Sequence, residues 1–306
     1  MNIGKCIKVV ALAAAGMMAG ASNAAVTLTN SDSLSPFTNF GGFDWAPGAA
    51  AWTAGITAAE AAFVSGGVGD PGNTFKVYYV AHAVGILDPL KNTVTSANLD
   101  TKADGVGNGL PSPFESRYEY TIFATLDLKL TEYTVLGGTC SVPPCVKLKM
   151  ETTGGSFDIR YDTSFNAKRV DGGEWTGFTD GISILGGTFD AGVTNTFDES
   201  DPSNTVFGFG LNGQVTSQNL AYVSPMLDGT RFSSEFQFRQ TDPGFMTPTK
   251  AAGIAIDQDP TVEDIFSVDG SQLFFRDVPE PMSLSLLGVA LLGAGVASRR
   301  RRGKQA

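Results

Sequence analysis

Apolar and polar residues alternate with a period of two over much of this chain. The longest run covers residues 118–130. Tyr118, Tyr120, Ile122, Ala124, Leu126, Leu128 and Leu130 take the even positions, and Arg117, Glu119, Thr121, Thr125, Asp127, Lys129 and Thr131 the odd ones. Only Phe123 breaks the alternation. This period excludes an amphipathic helix and predicts an antiparallel strand with one buried and one wet face. At about 3.3 Å per residue the strand is long, so a bend or bulge is expected. Residues 75–87 read differently, with Val77, Tyr79 and Ala81 on one side and Tyr78, Val80 and Val84 on the other. Apolar residues on both sides predict a strand covered on both faces. Asp88-Pro89 ends it. Val146, Leu148 and Met150 then alternate with Lys147, Lys149 and Glu151, and Phe157, Ile159 and Tyr161 with Asp158, Arg160 and Asp162. Gly154-Gly155 between them reads as the turn of a hairpin.

Shorter apolar pieces follow at 175–189, cut by Gly181 and Gly186-Gly187. Phe207, Phe209 and Leu211 mark one strand. Phe232, Phe236 and Phe238, alternating with Arg231, Glu235, Gln237 and Arg239, mark another, and residues 265–275 the last. Residues 26–74 have no steady period and read as irregular, apart from a short helix at 58–64. Eight or more strands with almost no helix predict an all-β, antiparallel fold in one domain of roughly 250 residues. A jelly-roll-like β-sandwich is preferred to a closed barrel, because only some strands read as buried on both faces. No fixed-period repeat points to a propeller or solenoid.

The two ends carry targeting chemistry. Lys5 and Lys8 precede a short apolar stretch at 9–21, and small residues follow at Ser22-Asn23-Ala24. That is the layout of a secretory signal peptide cleaved between Ala24 and Ala25. At the other end, Val278-Pro279-Glu280-Pro281 leads into 17 uncharged residues, 282–298, and then Arg299, Arg300, Arg301 and Arg302. As a helix the apolar run is roughly 25 Å long, the short end of a single transmembrane span. The arginines stay on the cytoplasmic side, which leaves the two prolines extended and exposed just outside the bilayer. That geometry fits both a tail cut by a protease and a permanent anchor. The expected organisation is therefore a signal peptide (1–24), an extracellular β domain (25–277) and a C-terminal segment (278–306).

The Pro-Glu-Pro motif, apolar helix and terminal arginine cluster together resemble the PEP-CTERM sorting signal of exported proteins of Gram-negative bacteria that make exopolysaccharide. The resemblance covers under a tenth of the chain. It implies recognition of the tail by exosortase at the inner membrane, then release to the cell surface or extracellular matrix. Phe43-Asp44-Trp45-Ala46-Pro47-Gly48, the Tyr78-Tyr79 pair and the overall length are similar to flocculation-associated PEP-CTERM proteins. That similarity implies a role in holding cells in aggregates.

Charge and chemistry narrow the remaining choices. Seven of the 21 basic residues lie in the two targeting segments, and none of the 31 acids lies outside 25–280. The span 25–280 thus carries 14 basic and 31 acidic residues, a balance of −17. This argues against nucleic acid and anionic membrane surfaces as partners. Cys6 leaves with the signal peptide. Cys140 and Cys145 are expected to form a disulfide in an oxidising compartment, because two thiols alone do not complete a zinc shell. Trp45 and Trp52 read either as plugs on the β core or as an exposed aromatic platform for sugar rings. The single histidine, His82, lies mid-strand and reads as a neutral core residue. Catalytic and metal-ligating motifs are not recognised. No spacing singles out a carboxylate pair, although a glycosidase pair stays open. Ca²⁺ is a candidate only through loop acids: Asp100, Asp104 and Asn108; Asp198, Glu199 and Asp201; or Asp257, Asp259, Glu263 and Asp264. The expected function is that of a non-catalytic matrix protein associating with exopolysaccharide. The alternatives are a secreted carbohydrate-active hydrolase using two carboxylates and a purely structural surface protein.

Overall fold

The computed structural model describes residues 25–29, 37–95, 118–136, 145–163, 167–170, 174–198, 206–225, 227, 229–240, 250–251 and 262–275. All of them fall in one compact unit, Ala25–Phe275. The expected signal peptide and sorting tail lie outside the described residues. Among those residues, no helix is long and apolar enough to cross a membrane.

Eight antiparallel strands form the body: β1 Gly42–Ala54, β2 Thr74–Leu87, β3 Glu119–Leu136, β4 Cys145–Asp162, β5 Ile182–Phe189, β6 Val206–Gln218, β7 Arg231–Gln240 and β8 Val262–Phe275. Each pairs with the next in the chain, and β8 returns to pair with β1. The sheet is a closed up-and-down barrel. The all-β, antiparallel expectation holds, but the jelly-roll-like sandwich does not describe this topology. A jelly roll needs long crossings between two sheets, and here every neighbour in sequence is a neighbour in the sheet.

Eight strands leave an interior that side chains just fill. The even positions of β3, Tyr120 to Leu130, all point into it and are buried, as their alternation predicts. Aromatic rings occupy much of the centre. Phe157 meets Phe232 edge-on at 4.8 Å, Tyr79 meets Phe236 at 4.9 Å, and Phe43 stacks on Trp45 at 5.0 Å. Where these rings press on the wall, the wall is glycine. A Cβ at Gly187 would lie 2.4 Å from the Phe157 ring, and one at Gly213 2.4 Å from the Phe232 ring.

The outer wall is charged where it is open. Lys76 is paired with Asp127; Lys129 lies opposite Glu151, and Glu132 opposite Lys149. Opposite charges across strands are mildly stabilising and favour water on this side. An outer-membrane barrel has the reverse arrangement, with an apolar outside.

Higher on the same wall, Ala167 and residues 178–181 lie against the strands. The Ala167 N–H donates to Glu119 Oε1 at 2.9 Å, and Thr121 Oγ1 donates to the Phe178 carbonyl at 3.1 Å. Arg160 Nη1 donates to the carbonyls of Thr179 (2.7 Å) and Gly181 (2.9 Å). His82, opposite Thr121 in the ladder, is buried on this face. A small three-stranded sheet of residues 168–170, 174–176 and 250–251 stands apart from the barrel sheet, and on the outer face of β2 Val80 and His82 are buried while Lys76 and Tyr78 stay open. That burial accounts for the apolar residues on both sides of β2.

Two local expectations need correction. Gly154-Gly155 is not a hairpin turn but lies within the continuous 18-residue β4. Both glycines have positive φ, at 158° and 135°. A Cβ on Gly155 would lie 2.2 Å from the Thr125 carbonyl oxygen, so they form a bulge against β3 where its register shifts. The hairpin is instead β3–β4. Residues 26–74 are not irregular either, since β1 belongs to them. The expected short helix extends over Ile56–Gly66 (α1), with Ile56 and Ala59 buried.

Candidate functional site

Trp45 and Trp52 are both fully buried, so neither offers the exposed platform considered for sugar rings. Trp45 points inward and stacks on Phe43, as a core plug does. Trp52 lies on the outer face of β1 and begins a row of rings across three strands. It stacks on Tyr78 of β2 at 5.6 Å and 16°, and Tyr78 stacks on Phe123 of β3 at 6.4 Å and 27°. Tyr78 and Phe123 are partly exposed. Phe123, the one residue that broke the alternation of β3, is therefore part of this row. Buried Trp52 braces it from one end.

Beside the row runs an open groove of about 560 Å³, lined by Ala54, Thr74, Lys76, Tyr78, Asp127 and Thr153 among others. Register places these residues together. Tyr78 is opposite Thr125, Lys76 opposite Asp127, and Asp127 opposite Gly154. The Asp127 carboxylate accepts a hydrogen bond from the Lys76 ammonium and raises its pKa. Thr153 Oγ1 donates to the Asp127 carbonyl at 3.1 Å, and the Thr125 and Ser156 hydroxyls lie 3.3 Å apart. The site therefore combines ring surface, hydroxyls and one exposed ion pair. Such a combination suits a sugar, whose C–H groups pack on aromatic rings while its hydroxyls exchange hydrogen bonds with side chains. The sequence hid the groove because its members are scattered over 54–153 and meet only through the β1–β2–β3–β4 register.

A second feature lies on the wall formed by β8 and β1. Asp44 is opposite Ser271 and Gly85, and Asp269 lies two residues before Ser271. Burial, and then the Asp269 charge, raise the Asp44 carboxyl above its ordinary pKa. Nothing in the spacing of the acids singled out these two.

No family model matches this chain. No curated protein and no solved structure matches it either.

Other expected sites fall largely outside the described residues. These include Val278, Pro279, Glu280, Pro281 and Arg299 to Arg302 of the sorting motif, Ala24 at the signal cleavage position, and Cys140. Ala25 is the first described residue. Cys145 opens β4 opposite Leu136; with Cys140, the expected disulfide lies outside the described residues. The candidate Ca²⁺ groups also lie wholly or partly outside. Among the described residues, no three or more His, Cys, Asp or Glu side chains cluster as a metal site.

Proposed function

We propose that this chain is an exported, exosortase-sorted protein of the cell surface or extracellular matrix. It associates with exopolysaccharide and promotes cell aggregation without catalysis of its own. The observation that carries the reading is the three-part C-terminal segment: Pro279-Glu280-Pro281, the uncharged run 282–298, and Arg299 to Arg302. The polar outer wall supports it, because such a barrel is suited to water outside the membrane. The groove lined by Tyr78, Lys76 and Asp127 supplies a surface of the right chemistry for a glycan.

The first test compares settling of a deletion strain with wild type while total exopolysaccharide is measured. Dispersed cells with unchanged polysaccharide output are expected. Complementation with Tyr78→Ala should fail to restore settling although the protein is exported at wild-type levels. Unchanged settling in the deletion strain would sink the proposal.

A second reading, a secreted carbohydrate-active hydrolase, is favoured by one observation. Asp44, with its raised pKa beside Asp269, is the kind of carboxyl that serves as a general acid. Incubation of isolated exopolysaccharide with the protein separates the two readings. Turnover that is lost in both Asp44→Asn and Asp269→Asn would favour the hydrolase. Absence of binding in a polysaccharide pull-down, without turnover, would favour a purely structural surface role.

A further inference from the structure

We propose that the barrel interior contains a binding site for a small neutral hydrogen-bonding molecule the size of water, held by Gln272 and Ser234. These two residues are direct ladder partners on β8 and β7. Their neighbours two positions away, Phe232, Phe236 and Phe274, point into the core. Gln272 and Ser234 share that face, and both are 0 % exposed. The Gln272 amide oxygen and nitrogen and the Ser234 hydroxyl have no hydrogen-bond partner among the described residues.

Two more polar atoms in the same condition come from the next two strands. Trp45 Nε1 on β1 is buried without a partner among the described residues, and Trp45 lies opposite Gly270. The Tyr79 hydroxyl on β2 is likewise buried without a partner, 3.2 Å from where a Cβ on Gly270 would be. Four consecutive strands therefore each bring an unpartnered polar group to the neighbourhood of Gly270. A Cβ at that position would lie 2.8 Å from the Phe236 ring, so the glycine is what lets that ring and the Tyr79 hydroxyl approach the wall.

The chemistry of the occupant follows from this donor set. The Gln272 amide both donates and accepts, as do the Ser234 and Tyr79 hydroxyls, while the Trp45 indole only donates. Burial, with the charges of Asp269 and Asp44, raises the Tyr79 pKa well above its ordinary value, so its hydroxyl keeps its proton. The occupant must donate and accept at once, and it faces no charged group in this set. Ordered water meets both requirements, and buried water commonly satisfies such groups. Otherwise the burial of an unpaired amide is a standing penalty that leucine in place of Gln272 would remove.

Substitution and crystallography of the full-length protein test this together. One or more ordered molecules should lie within about 2.7–3.2 Å of both Gln272 and Ser234. Gln272→Leu should lower Tm by roughly 5 °C, because it expels the molecule and strands the remaining polar groups. If Gln272→Leu fails to fold, Ser234→Ala decides the matter, since it deletes a single oxygen and should also lower Tm. A direct Gln272–Ser234 hydrogen bond with no molecule between them would overturn the proposal. So would a raised Tm in either variant.

Discussion

Gly213→Ala is the sharpest probe of how this barrel is packed. Gly213 lies on β6, opposite Phe189 on one side and Phe232 on the other. An added Cβ would lie 2.2 Å from the Thr188 carbonyl oxygen and 2.4 and 2.6 Å from two Phe232 ring carbons. One obstacle is backbone and cannot rotate away. The other is a ring held edge-on against Phe157 at 4.8 Å and Phe189 at 5.5 Å. Overpacking of a core costs about 1–3 kcal/mol, and disturbing two aromatic pairs adds roughly 0.5–1.5 kcal/mol each. Restricting the unfolded chain returns about 0.4–1 kcal/mol. A net loss of roughly 1–5.5 kcal/mol is expected, which for a domain of this size is a fall in Tm of roughly 2–20 °C. Near-ultraviolet circular dichroism during heating reads it directly. Gly210→Ala is the control, because it lies on the same strand with no atom within 4 Å of the new methyl. It should shift Tm little. Equal, small shifts for the two variants would refute the packing of Phe232 against the glycine.

Three further outcomes follow from the geometry. Asp44 has a raised folded-state pKa, so its contribution to stability is fully present below the ordinary carboxylate range and is lost as pH rises through the folded value. Asp44→Asn should therefore stabilise the protein at pH 7 and lose that advantage in acid, as urea midpoints across pH will report. Trp45→Ala removes a fully buried ring stacked on Phe43 and should cost about 3–5 kcal/mol, measured by urea unfolding. Tyr78→Ala should weaken polysaccharide retention about 5- to 10-fold, an aromatic contact of roughly 1–1.5 kcal/mol, while leaving the far-ultraviolet spectrum unchanged. Unchanged retention would remove the groove from consideration.

The strands of this fold were legible wherever one face meets water. From Ile122 to Leu130 burial alternates residue by residue, because Thr125, Asp127 and Lys129 face outward. Strand β1 escaped notice for the opposite reason. Ala49, Ala50, Ala51 and Trp52 are buried on both sides, and the ladder to β2 skips from Trp45 to Ala50. Neither period nor propensity survives there. Closure was illegible too. Burial on both faces of β2 looked like sandwich packing, whereas its cover comes from segments lying on the outside of a barrel. The groove depends on register between strands far apart in sequence, which periodicity within one strand cannot reveal.

Pairing of β8 with β1 also sets the order of events in folding. Val262 closes on Ala54, so the clasp joins the two ends of the domain across nearly its whole length. Contacts so distant in sequence form slowly. A chain emerging N-terminus first has seven strands and two raw edges until its last strand arrives. Under the export proposed above, this favours passage in the unfolded state, with the barrel closing on the far side. The final strand ends at Phe275, immediately ahead of the Pro-Glu-Pro segment. Completion of the fold and arrival of the proposed sorting segment thus become nearly one moment. A chain truncated before β8 loses both together.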